Sequence, residues 1–118
     1  MANALTVAKY IVTQCMNMSN PISNLHLQFL LYFVNQESLR FYKAPLFYNE
    51  IAFWTCGPII PDVYYHFCGF GVMPIWATYD DVQLSEKEKE IIDNVIKAKG
   101  NIEPLALLRE IQKEVKNG

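Results

Sequence analysis

Few residues of this 118-residue chain have the chemistry to act on a substrate or hold a metal, and the densest group lies between positions 56 and 68. Cys56, Asp62, His66 and Cys68 offer two thiols, a carboxylate and an imidazole. Structural zinc sites draw on two close ligand pairs, whereas these four are scattered at other spacings, so no metal is expected. A cysteine nucleophile needs a base beside it and a group to orient that base. Cys56, His66 and Asp62 form the only compact combination of that kind, and nothing around Cys56 marks an activated thiol. Glu37, Glu50 and Asp62 stand too far apart for a working carboxylate pair, and no glycine-rich phosphate loop is present. The sequence therefore predicts no enzyme, no catalytic residue and no cofactor.

The chain is rich instead in rings. All 16 aromatic residues lie between Tyr10 and Tyr79, and twelve of them fall within positions 41 to 79. Those twelve are Phe41, Tyr42, Phe47, Tyr48, Phe53, Trp54, Tyr64, Tyr65, Phe67, Phe70, Trp76 and Tyr79. Charge has the opposite distribution. Residues 1 to 79 hold Lys9, Glu37, Arg40, Lys43, Glu50 and Asp62, and residues 80 to 118 hold the other 16 charged side chains. Large rings in a charge-poor setting are the composition of an interface centre, and so small a chain cannot easily enclose them all. Two readings stay open for each ring, core or binding surface. For the group as a whole the pattern points to protein binding.

The elements that must carry these residues are mainly helical. A first helix runs over about Asn3 to Met16, with Leu5, Ala8, Val12 and Cys15 on one stripe. After the break Asn17-Met18-Ser19-Asn20-Pro21, Ser23 or Asn24 can cap a second helix reaching about Phe41. This helix is apolar nearly all round, which predicts a central place. Its exceptions are the uncharged Asn24, His26, Gln28 and Asn35. Between Lys43 and Pro61, Ala44 to Phe47 and Ile51 to Thr55 can pair as a short β-hairpin, with a short helix over 49 to 55 as the competing reading. Pro61 suits the first turn of a helix over Asp62 to Cys68, ending at Gly69 or Gly71. Ser85-Glu86-Lys87-Glu88 is a capping box, followed by the stripe Ile91, Ile92, Val95 and Ile96 and a stop at Gly100. A last helix starts near Pro104, with Leu105, Leu108, Ile111 and Val115 at helical spacing. Lys87, Lys89, Lys97 and Lys99, alternating with acids, predict a solvated helix face. The expected fold is one mainly α domain over residues 1 to 118, of about five helices with a short hairpin near 44 to 56. It divides into an aromatic part, 1 to 79, and a charged helical part, 80 to 118.

Bulk properties narrow the partners. A length of 118 residues buries roughly two thirds of the surface of its unfolded chain, enough for a core without staples. Ten basic against twelve acidic residues, with no concentrated basic face, argue against nucleic acid. The apolar run Phe29 to Val34 is far too short to span a bilayer, so no membrane association is expected. No cationic leader opens the sequence, which predicts a cytoplasmic setting. Cys15, Cys56 and Cys68, an odd number without a C-x-x-C pair, fit free and mostly buried thiols.

Four stretches resemble the Panacea antitoxin domain, the group of phage-associated SocA-like and GepA-like proteins. They are Ala4 to Ile11; Ile22 to Phe33, with its Leu-x-Leu-Gln-x-Leu-Leu-Tyr-Phe pattern; Pro45 to Phe47 followed by Ile51 to Tyr64, with Gly57-Pro58-x-x-Pro61-x-x-Tyr64; and Leu84-Ser85 leading the capped helix. Order and spacing carry the resemblance. Phe29 stands where a lysine is usual before Leu-Leu-Tyr, Phe53 and Cys56 alter the usual Ala-Trp-x-Tyr-Gly-Pro, and the Thr-His and tryptophan ending is absent.

The resemblance implies a non-enzymatic antitoxin that neutralises a toxin encoded by an adjacent gene by binding it directly. The partner-binding or motif residues it marks, together with neighbouring rings, are Tyr32, Phe53, Trp54, Gly57, Pro58, Pro61, Tyr64 and Tyr65. The alternative is a prophage-associated adaptor that delivers a partner to other machinery or associates with itself as a homo-oligomer.

Overall fold

Polar side chains placed one residue before the first helical position start three helices of this protein. In the computed structural model, which describes residues 2–117, Asn3 Oδ1 accepts from the Leu5 N–H at 2.9 Å and begins α1, Ala4–Asn17. Ser23 Oγ accepts from the His26 N–H at 3.2 Å and begins α2, Asn24–Tyr42. Ser85 and Glu88 form both bonds of the expected capping box at the start of α4, Glu86–Lys99. Between them lie an antiparallel pair, β1 (Ala52–Trp54) and β2 (Gly57–Ile59), then α3 (Pro61–Phe67) and a short 3-10 turn, Cys68–Phe70. The last helix, α5, is Pro104–Asn117. The architecture is mainly α, as the sequence predicts.

The central place expected for α2 is what the structure shows, because α1, α3, α4, α5 and β2 all pack on it. Leu27, Leu30, Leu31 and Val34 of α2 have no exposed surface. Val7, Ala8 and Ile11 of α1, Val63 of α3 and Ile92 of α4 join them in one continuous core. Each of the Val, Leu and Ile side chains among them contributes on the order of 1.5–3 kcal/mol through burial.

Three expectations shift. The hairpin uses Ala52–Trp54 with Gly57–Ile59 around Thr55 and Cys56, in the register Ala52 to Ile59 and Trp54 to Gly57, and not residues 44 to 47. The reason is where the backbone groups of 46 and 47 find partners. Asn35 Oδ1 accepts from the Leu46 N–H at 2.9 Å and the Phe47 N–H at 3.1 Å, and Asn35 Nδ2 donates to the Phe47 carbonyl at 3.1 Å. With a helix side chain satisfying them, these residues need no strand of their own. In α5 the buried side chains are Leu107 and Ile111, with Leu105 and Val115 exposed, so the stripe is rotated from the predicted one. The charged face of α4 is not wholly solvated. Asp93 accepts from the Tyr10 hydroxyl at 2.9 and 3.1 Å and from Gln14 Nε2 at 3.2 Å. Lys99 Nζ lies 2.9 Å from Glu110 Oε1 and 4.4 Å from the centre of the Phe33 ring.

Gly100 ends α4 as expected, but through space and not through a left-handed turn, since its φ is −65°. A Cβ there would lie 2.6 Å from the Ile96 carbonyl oxygen.

Candidate protein-binding surface

The platform for the exposed rings begins inside α2. Asn24, Gln28 and Asn35 lie on one stripe of the helix, at i, i+4 and i+11, and all three are buried. A buried amide is costly unless its hydrogen bonds are met, and here every one has partners. Gln28 Nε2 donates to Asn24 Oδ1 at 2.9 Å, Gln28 Oε1 accepts from the Ile60 N–H at 2.8 Å, and Asn24 Nδ2 donates to the Tyr64 carbonyl at 3.0 Å. The stripe thus bonds to the chain at 46–47, at 60 and at 64. The corner between β2 and α3 is held by side chains of the central helix. Asn49 adds a further tie, accepting from the Ala4 N–H at 2.9 Å and donating to Asp62 Oδ2 at 2.8 Å.

On this frame the hairpin is fixed by two residues of unusual backbone chemistry. Gly57 has φ +124°, a conformation that side chains disfavour. It is also a close approach, because a Cβ would lie 2.8 Å from Phe29 Cε1 and 2.9 Å from Leu108 Cδ1. Pro58 pairs with Phe53. Around a two-residue turn the Trp54–Gly57 pair takes the hydrogen bonds, and the next pair does not, so Pro58 has no donor to lose toward β1.

The rings above this corner form one cluster. Trp54 meets Tyr64 edge to face at 5.3 Å and Tyr65 at 6.2 Å, and the two tyrosines meet each other at 5.7 Å. These separations lie in the favourable range for aromatic pairs. The cluster is not covered by the protein. Phe53 is 62% exposed, Tyr65 63% and Trp54 37%. Beside it, a groove of about 240 Å³ separates Phe53, Trp54 and Pro58 from Leu108, Ile111 and Val115 of α5.

Of the eight residues singled out in the sequence, Phe53, Trp54, Gly57, Pro58, Tyr64 and Tyr65 come together on the hairpin, the groove and α3. Pro61 supplies the first residue of α3. Tyr32 is elsewhere, buried on α2, with its hydroxyl donating to Glu114 Oε2 at 3.3 Å. Burial first, and then the Glu114 carboxylate, push its phenol up to about 12. Among the twelve rings of positions 41 to 79, Phe47 and Phe67 are buried, Tyr64, Phe70 and Tyr79 half-buried, and the other seven exposed. The division into core and surface, left open by composition, is therefore settled ring by ring.

The thiols correct one expectation. Only Cys15 is buried, where desolvation raises it to about 11, while Cys56 and Cys68 are exposed and all three are free. Cys56 sits exposed in the hairpin turn. His66 is exposed on α3 and meets Phe67 edge to face at 4.8 Å. No group of three or more potential metal ligands is assembled among the described residues.

Two contributors escaped the sequence reading. The amides of α2 were visible as polar exceptions in an apolar helix, and their common stripe was the available signal. The α5 wall of the groove had a signal too, the surplus of apolar residues in that helix beyond what one buried face requires.

The fold is mainly α, and its hairpin–α3 corner leaves Phe53, Trp54 and Tyr65 exposed. The family described as antitoxin SocA-like, Panacea domain, matches residues 27–114, and the chain belongs to that family. The match runs from the first turn of α2 through the hairpin and α3 into the last turn of α5. No curated protein and no solved structure matches the chain. No helix among the described residues is long and apolar enough to cross a membrane.

Proposed function

We propose that this protein is an antitoxin that neutralises a protein toxin, encoded by an adjacent gene, by binding it directly through the Trp54–Tyr64–Tyr65 corner and the neighbouring groove. The observation that carries the reading is the exposure of Phe53, Trp54 and Tyr65 on backbone fixed from below by Gln28 and Asn24. Large rings held in place lose little conformational freedom on binding and bury much apolar area, the properties of interface hot spots. Membership of an antitoxin family supplies the kind of partner.

On this reading the protein acts in the cytoplasm as one domain, without catalysis or cofactor, and occludes its toxin by surface contact. Gly57, Pro58 and Pro61 shape the corner, and Phe53, Trp54 and Tyr65 make the contact. Expression of the adjacent gene product alone arrests growth, and co-expression with this protein restores it and yields a copurifying complex. Absence of both rescue and complex removes the proposal.

A further inference from the structure

We propose that the groove between the β1–β2 hairpin and α5 receives an acidic amphipathic segment of the partner protein, with apolar side chains in the groove and carboxylates along a cationic edge of α5. This rests on the toxin-binding reading and adds the chemistry of the segment that is bound.

The argument is the sorting of charge around α5. Its cations Arg109, Lys113 and Lys116 stand at i, i+4 and i+7, on one stripe of the helix. Its acids Glu110 and Glu114 stand on another stripe and are engaged within the protein, Glu110 with Lys99 at 2.9 Å and Glu114 with the Tyr32 hydroxyl at 3.3 Å. None of the three cations has an ion-pair partner among the described residues. A helix C-terminus favours cations in its last turns, but that effect acts along the axis and does not select a face. Arg109 and Lys113 four residues apart repel each other, an arrangement that the isolated helix gains nothing from.

The cationic stripe reaches the groove at Lys116. Lys116 itself lines it, beside Val115 and Gln112, and no acidic residue does. The opposite wall, formed by Phe53, Trp54, Thr55, Gly57 and Pro58, is uncharged. An apolar trough whose one charged lining residue is Lys116, at the end of a cationic stripe, with no carboxylate in its lining, is complementary to an apolar segment that bears carboxylates beside its anchor side chains.

The test uses the full chain and two synthetic helical peptides, each with leucine and tryptophan on one face, flanked in one by glutamates and in the other by lysines. Fluorescence anisotropy at low and high salt measures both. The glutamate peptide binds, weakens as salt rises, and loses about tenfold or more in affinity to the triple variant Arg109→Glu, Lys113→Glu, Lys116→Glu. The neutral triple variant with glutamine at the same positions loses less, and a control with Lys87→Glu and Lys97→Glu on α4 loses nothing. Val115→Asp abolishes binding through the groove. Equal binding of the two peptides, or an unchanged affinity in the triple variant, overturns the proposal. So does a DNA duplex that displaces the glutamate peptide, since the stripe would then serve phosphates. The adjacent gene product separates the two readings. If it binds wild type and the triple variant alike, the groove assignment falls and the antitoxin reading stands. If it binds neither, the antitoxin reading falls, and the peptide comparison decides the groove.

Discussion

The hairpin faces α5 across one groove, and the polar contacts that position the hairpin–α3 corner differ in kind from those of the α4–α5 pair. The corner has almost no charge and is fixed by buried amides of α2, which bond to the backbone at Ile60 and Tyr64. The two C-terminal helices bury apolar stripes in the core but are rich in charge, and many of their polar ties to the rest lie nearer the surface, Asp93 to Tyr10 and Gln14, and Lys99 to Glu110 and Phe33. The difference teaches where rigidity is needed. A desolvated network fixes a position strongly because breaking it strands buried polar groups, whereas surface ion pairs are worth about 1 kcal/mol or less. The corner is thus preorganised to present rings.

Substitutions that reach under the corner should therefore have the largest effects. Gly57→Ala places a methyl group against Phe29 and Leu108 at a φ of +124°. We expect a loss of about 3 kcal/mol in urea unfolding, from backbone strain and overpacking together. A loss below about 1 kcal/mol would show that the hairpin and α5 can separate freely. Gln28→Leu comes next. It strands the Ile60 N–H and Asn24 Oδ1, at a cost of about 2 kcal/mol. Slowed hydrogen exchange at Ile60 in wild type, lost in the variant, would locate the effect at the corner.

The charged helices should give smaller changes that separate bridging from solvated residues. Lys99→Ala removes a contact to Glu110 that is partly open to solvent and a cation–π contact to Phe33, about 1 kcal/mol in all. Lys97→Ala, exposed and without an ion-pair partner among the described residues, should change stability by less than about 0.5 kcal/mol. Equal effects of the two would remove the distinction between them.

The smallest expected effect is one of pH. His26 is buried beside the end of α4, with Nε2 donating to the Lys99 carbonyl at 3.3 Å. Desolvation lowers its pKa below 6.5, with the hydrogen bond opposing. Below about pH 6.5 the unfolded chain takes up a proton that the folded chain does not, so stability falls as pH drops from there toward the folded pKa. Above pH 6.5 the group contributes no pH dependence. Urea midpoints at pH 7.5 and 5.5 should differ for wild type, and the difference should shrink in His26→Gln.

The helices were readable from sequence because their signals are local. Ser23, Ser85 with Glu88, Pro61 and Pro104 mark starts within one turn, and the bounds of α1, α2 and α4 fall within a residue or two of those expected. The hairpin was misplaced because its position depends on a distant residue. Asn35 satisfies the backbone of 46 and 47 from another element, and no local pattern announces that. The candidate site was half readable. Gly57, Pro58 and Trp54 stand out by type and order, but which of twelve rings face solvent depends on how α3 docks on α1 and α2. The rotation of the α5 stripe has the same origin, since heptad-like spacing allows either Leu105 or Leu107 to face the core, and packing on α2 selects Leu107.

The claim that the exposed corner is the binding surface has one direct measurement, the affinity of the adjacent gene product for wild type and for a Trp54→Ala, Tyr65→Ala variant whose folding is checked by circular dichroism. Both side chains are exposed in the free protein, so the variant should keep its fold and lose about 2 kcal/mol or more of binding, roughly thirtyfold in Kd. A folded variant that binds the partner as tightly as wild type would contradict the account.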